Sequence, residues 1–150
     1  MDNVLPLRKK DFSFEDEIGE LTDLCKEDLV SVNTIILDKL DSNVPLVHEV
    51  GKYLILSGGK RLRPLLTVSS FHMTRNGTSE IGNKMNHIGL SAAVEFIHTA
   101  TLLHDDVIDE SKQRRGKPTA NEKWKNKTSV LVGDFLFSRA FQLMTKYGNT

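Results

Sequence analysis

Between Phe14 and Leu40 the apolar residues Ile18, Leu21, Leu24, Cys25, Leu29, Val32, Ile35, Ile36 and Leu40 recur at three and four, the spacing that lines one face of a helix. One long amphipathic helix is expected there. Pro45 sits where a first helical turn tolerates proline, so a second helix is expected to run to Leu56 and stop at Gly58-Gly59, where an open backbone costs least. A third opens at Pro64 and ends near Thr74, before the turn-forming stretch from Arg75 to Ser79. A fourth and more apolar helix is expected from about Ile81 to Asp109. The polar segment Ser111 to Lys127, with Gly116 and Pro118, reads as a surface connection holding a short helix around Trp124. A fifth helix spans Ser129 to Tyr147, with Gly148-Asn149 as its stop. No strand-like alternation bounded by hairpin turns and no repeat interrupts this series. The expected fold is all-α, an antiparallel bundle of five helices with no strands.

Length and charge narrow the function more than the fold. A chain of 150 residues suits one domain and buries about two-thirds of its unfolded surface. Lysine plus arginine and aspartate plus glutamate stand at twenty each, so there is no broad basic field of the kind nucleic acid requires. Cys25 is the only cysteine, which excludes an internal disulfide framework and suits a reducing compartment. The opening MDNVLPLRKKDF has no apolar stretch of signal-peptide length, and no run of about eighteen apolar residues could span a bilayer. A cytoplasmic protein is expected.

Charge is concentrated at one place. In "LLHDDVIDESKQRRGKPT" three aspartates and a glutamate end an apolar run, and Lys112, Arg114, Arg115 and Lys117 follow. Val94, His98, Thr101, Asp105 and Asp109 step by three and four, so they form one stripe of the fourth helix, with Asp106 beside it. Carboxylates there repel each other and also meet the negative end of the helix dipole. A solvated helix end is the plain alternative. The apolar run Ala92 to Leu103 argues instead for acids at the mouth of a packed interior. An oxygen-only ligand set there suits Mg²⁺, which takes one or two carboxylates plus substrate phosphates. The stretch lacks the alternating ligands and central glycine of a calcium-binding EF-hand loop.

Two basic segments complement these acids. Gly58-Gly-Lys-Arg-Leu-Arg-Pro64 places Lys60, Arg61 and Arg63 at a helix start, where unpaired backbone N–H groups also attract anions. Arg114 and Arg115 lie close enough to fold back over the acids, either as bidentate phosphate clamps or as ion-pair partners of Asp109 or Glu110. Together these features describe a pocket for two anionic substrates, one of them held through metal.

G-G-K-R-L-R-P, then H-x₆-DDxxD, then RRG, resemble in type and order the trans-type prenyl diphosphate synthases. The stretches "EFIHTATLLHDDVIDESKQRRGKPTAN" and "SVLVGDFLFSRAF" are similar to long-chain members of the octaprenyl kind, and the likeness runs from about residue 45 to the end. The resemblance implies the isoprenoid synthase bundle. It implies that Asp105 and Asp109, supported by Asp106, hold Mg²⁺ against an allylic diphosphate such as farnesyl diphosphate. Lys60, Arg63 and His98 then match the isopentenyl diphosphate site, Arg114 a contact to the allylic diphosphate, and Arg115 a second contact to isopentenyl diphosphate. Ala100 and Thr101, just before the aspartates, match the positions that set product length. Small side chains there imply a long product, about octaprenyl, of the kind that becomes a quinone side chain. Close helix packing is the plain alternative for them.

The resemblance further implies a homodimer whose contact with membrane is at most peripheral, through its product. The family's second aspartate-rich motif has no counterpart in residues 1 to 150. These residues are accordingly expected to be the N-terminal part of a single all-α domain, an incomplete bundle with little or no turnover alone. A non-catalytic accessory subunit of a heteromeric prenyl synthase is the main rival, although such subunits tend to lose the acids and cations kept here. A metal phosphohydrolase built on His104-Asp105 leaves both basic motifs unexplained, and a terpene cyclase would not need the GGKRLRP stretch.

Overall fold

A computed structural model describes residues 13–56, 59–74 and 85–148. In chain order its elements are α1 (Phe14–Leu24), α2 (Lys26–Lys39), α3 (Pro45–Leu56), α4 (Leu62–Thr74), α5 (Asn86–Ile108), β1 (Gln113–Arg114), β2 (Lys117–Pro118), α6 (Ala120–Trp124) and α7 (Asn126–Tyr147). The all-α class holds. Gly58, the turn expected at 75 to 79 and the helix start expected at Ile81 lie outside the described residues.

Helix α5 is the axis of the bundle and packs against α2, α4 and α7. Phe96 and Leu103 of α5 are completely buried with Ile36, Leu65, Leu136 and Leu143. Each such side chain contributes roughly 1.5–3 kcal/mol through loss of water contact. Two glycines set the approach of α5 and α7. A Cβ on Gly89 would lie 2.0 Å from the Tyr147 ring, and one on Gly133 would lie 2.2 Å from the His104 imidazole. Residue 89 thus faces 147 while 104 faces 133, which fixes the two helices as antiparallel.

Two expectations need correction. The single helix over 14–40 is two helices, because Cys25 leaves helical geometry at φ −98° and ψ 8°. Its amide still bonds to the Leu21 carbonyl at 3.1 Å and its carbonyl to the Leu29 amide at 2.9 Å. The apolar period therefore runs through the break without a mark. The connection at 111–127 is also not strand-free: β1 and β2 form a short antiparallel ribbon, Gln113 opposite Pro118 and Arg114 opposite Lys117. Its two-residue turn has φ 54° at Arg115 and 75° at Gly116, the paired left-handed backbone of a type I′ hairpin. All four strand residues are exposed, so no alternation of apolar positions announces it.

Candidate active site

The acidic end of α5 and the ribbon form one unit. After Asp109 the chain reverses at Glu110, φ 49°, and the Ser111 amide bonds back to the Asp106 carbonyl at 2.9 Å. This brings Arg114 over α5. Its Nη2 donates to Asp106 Oδ1 at 2.8 Å, and its Nε donates to the two carboxylate oxygens at 3.2 and 3.3 Å. The Asp106 side chain is 3% exposed, so the fork supplies the positive partner that a buried carboxylate requires. The hydrogen bond to Asp106 holds the Arg114 pKa above its ordinary value, against burial, with further help from the charges of Asp106, Asp105 and Asp109. Asp105 and Asp109 are exposed and make no side-chain ion pair among the described residues.

Beside this unit is a cavity of about 660 Å³, walled by the start of α4, the middle of α5, the end of α3 and the ribbon. Lys60, Arg63, His98, Arg114 and Arg115 all line it. The start of α4 is fixed by Arg61, whose φ of 47° turns the chain into the helix and whose carbonyl accepts from the Leu65 amide at 3.0 Å. Arg61 Nη1 donates to Glu95 Oε1 of α5 at 2.6 Å, and Nη2 donates to the Ile55 carbonyl at 2.9 Å. One side chain thus ties α3, α4 and α5 together at the cavity wall, and the first-turn N–H groups of α4 add to its attraction for anions.

The cations have different freedom. Lys60 is exposed and lies 3.8 Å from Glu15, also exposed, a pair of little strength that an anionic ligand can replace. Arg115 reaches across to Gly59, where a Cβ would lie 2.9 Å from its Nη1. Burial, followed by the charge of Arg63 and then those of Arg115 and Arg114, holds the His98 pKa below its ordinary 6.5, with Glu95 opposing. His98 therefore favours its neutral form in a wall of cations.

Asp106 lines the cavity, whereas Asp105 and Asp109 lie outside its lining. Ala100 is completely buried in the core and Thr101 is half-buried, its hydroxyl donating to the His98 carbonyl at 2.8 Å. His104 turns away from the acids to α7, 3.2 Å from the Val130 carbonyl and 3.5 Å from Asp134. His104 and Asp105 therefore do not form the metal-binding doublet that a phosphohydrolase would need.

The residues that fix the ribbon carry no motif in the sequence. The Tyr53 hydroxyl donates to the Pro118 carbonyl at 2.8 Å, and the Tyr53 ring meets Trp124 edge-on at 5.0 Å. The Thr119 hydroxyl donates to the Ser111 carbonyl at 2.6 Å. Thr119 precedes the short helix α6, a helix-start signal that could have drawn attention to it.

The donor set at the end of α5 fits Mg²⁺. Asp105 and Asp109 offer hard oxygen ligands one turn apart, while Asp106 is committed to Arg114. Two exposed carboxylates leave coordination positions for phosphate oxygens, the usual state of protein-bound Mg²⁺.

Residues 44–150 match the polyprenyl synthetase family, and the chain belongs to it. It is 47% identical over 132 residues to the octaprenyl diphosphate synthase of Escherichia coli K12, covering 88% of this chain and 39% of that one. The fold matches a decaprenyl diphosphate synthase from Rhodobacter capsulatus with a TM-score of 0.79 at 52% identity, over 88% of this chain and 39% of that one. It matches a polyprenyl synthase from Caulobacter crescentus CB15, solved with calcium and isoprenyl diphosphate, with a TM-score of 0.79 at 47% identity, over 86% and 38%. The chain thus spans about two-fifths of the length of these relatives. Among the described residues no helix is long and apolar enough to cross a membrane.

Proposed function

We propose that this chain supplies the diphosphate-binding half of a long-chain trans-prenyltransferase, which extends an allylic diphosphate such as farnesyl diphosphate with isopentenyl diphosphate. The single observation that carries this reading is the convergence of Lys60, Arg63, His98 and Arg115, from three separate segments, on one cavity beside the Asp106–Arg114 fork. Three cations with the neutral His98 beside them match the charge of a diphosphate and leave its apolar tail to Leu102 and Leu54, which line the same cavity. Asp105 and Asp109 would hold Mg²⁺, which would supply positive charge to stabilise the leaving diphosphate.

The chain's own residues orient the partners. Arg114, fixed by Asp106, presents positive charge toward the leaving diphosphate, and the basic cavity holds isopentenyl diphosphate with its double bond free to attack. The allylic C–O bond breaks, a C–C bond forms from the double-bond electrons, and a proton leaves the new chain. Thr101, one turn before Asp105, leaves room for a growing product of about octaprenyl length, suited to a quinone side chain. Ala100 is small for the same reason or for packing. We assign the complete protein to the cytoplasm, as a homodimer, and expect residues 1 to 150 alone to turn over little.

Calorimetric titration of isopentenyl diphosphate into this chain tests the cavity. Saturable binding that weakens about tenfold in Arg63→Ala, the loss of roughly 1.4 kcal/mol expected for one charged hydrogen bond, supports the assignment. Binding indifferent to Arg63 and Arg115 would remove it.

A further inference from the structure

At the other end of α5, about 16 Å along the helix from His98 at 1.5 Å per residue, three side chains from three helices meet. Asp28 of α2, His72 of α4 and His87 of α5 bring one ligand atom each within 4.8 Å of one another. His72 Nε2 lies 2.6 Å and His87 Nε2 3.0 Å from the same oxygen, Asp28 Oδ2. None of them takes part in the diphosphate chemistry, and their exposure is graded: His87 side chain 9%, Asp28 27%, His72 48%.

The rings are already set for a shared centre. His87 stacks flat on Phe71 at 3.9 Å and 2° between planes, and the His72 ring meets the His87 ring edge-on at 5.7 Å. Both Nε2 atoms point at one carboxylate oxygen, while His87 Nδ1 is buried without a hydrogen-bond partner among the described residues. The ring is thus oriented by stacking and by what its Nε2 meets.

We propose that Asp28, His72 and His87 form a second metal site, for a divalent transition ion such as zinc, that clamps α2, α4 and α5 together. Two imidazoles and a carboxylate suit zinc rather than magnesium, which prefers all-oxygen ligands. With zinc about 2.0–2.1 Å from each atom in a tetrahedron, ligand atoms stand roughly 3.4 Å apart. Asp28 Oδ2 then retreats by about 0.4–0.8 Å, and the two imidazole ligand atoms, which lie within 4.8 Å of each other, settle to the same spacing by rotation of the half-exposed His72 ring. Half-exposed His72 gives the ion its entry path and leaves a fourth position for water.

The test uses metal-free residues 1 to 150 with excess Mg²⁺ to occupy Asp105 and Asp109. Zinc is titrated against a chromogenic chelator, and cobalt(II) is followed by its visible absorption. The expected result is one zinc per chain, tetrahedral cobalt absorption, and affinity more than about tenfold weaker in Asp28→Asn and in His72→Ala. His72 is exposed enough for its variant to keep the fold, which circular dichroism checks. Asp105→Asn is expected to leave zinc uptake unchanged. A folded wild type without cobalt absorption, or uptake that falls with Asp105→Asn and not with His72→Ala, would overturn the proposal.

Discussion

Arg114 Nη2 sits 2.8 Å from Asp106 Oδ1, and this fork joins the ribbon to α5 between the acids and the basic cavity. Asp106→Asn keeps the shape but removes the charge that Arg114 answers. Breaking a buried pair costs about 3–5 kcal/mol. The Arg114 side chain is 40% exposed and regains water, so a loss nearer 2 kcal/mol is expected in urea unfolding. Arg114→Lys is expected to recover only part of any diphosphate affinity lost in Arg114→Ala, because an ammonium cannot make the fork.

Gly59→Ala separates stability from binding. The new methyl would lie 2.9 Å from Arg115 Nη1, the far end of a side chain that can swing. A stability change within about 0.5 kcal/mol is expected. Isopentenyl diphosphate affinity is expected to fall severalfold, because the displaced guanidinium belongs to the same cavity wall. Unchanged affinity would place Arg115 outside the binding set.

The lowered pKa of His98 has a definite sign. Its neutral form is favoured in the folded protein, so its contribution to stability is fully present above 6.5 and is lost as pH falls from there toward the folded pKa. Urea midpoints over that window should drop less in His98→Gln than in the parent. A bound diphosphate would offset the charges of Arg63 and Arg115, two of the causes that hold the His98 pKa down. The parent is therefore expected to take up more protons on binding than His98→Gln below about pH 6.5, and its affinity to gain relative to that variant as pH falls. Calorimetry in buffers of different ionisation heat reads this uptake, and His98→Gln should remove it.

Tyr53→Phe deletes the hydrogen bond to the Pro118 carbonyl while keeping the ring against Trp124. A loss of about 0.5–1.5 kcal/mol is expected, together with faster amide exchange in 113–118. Equal exchange in parent and variant would mean that the ring contact and the bonds of Thr119 hold the ribbon alone.

The helices and the chemistry were legible to different depths. The stripe from Val94 to Asp109 was visible because a helix repeats its geometry, and the basic halves were visible because their residue types are unusual side by side. The partner of Arg114 was not legible: Asp109 and Glu110 are nearer to it in sequence than Asp106, and only the reversal at Glu110 selects the buried acid. The Arg61–Glu95 pair was hidden because the two residues lie thirty-four positions apart. The break at Cys25 escaped because one residue outside helical geometry leaves the apolar period intact.

The proposed prenyl transfer is tested directly by Mg²⁺-dependent incorporation of labelled isopentenyl diphosphate onto farnesyl diphosphate by a chimera. In it, this chain replaces the matching 132 residues of the Escherichia coli octaprenyl diphosphate synthase. Products of about octaprenyl length, shortened by Thr101→Phe, are expected, with activity reduced at least a hundredfold in Asp105→Asn, the loss of roughly 2.7 kcal/mol of transition-state stabilisation. A folded chimera that makes no product with any allylic primer, or whose activity is indifferent to Asp105, would contradict the proposed transfer.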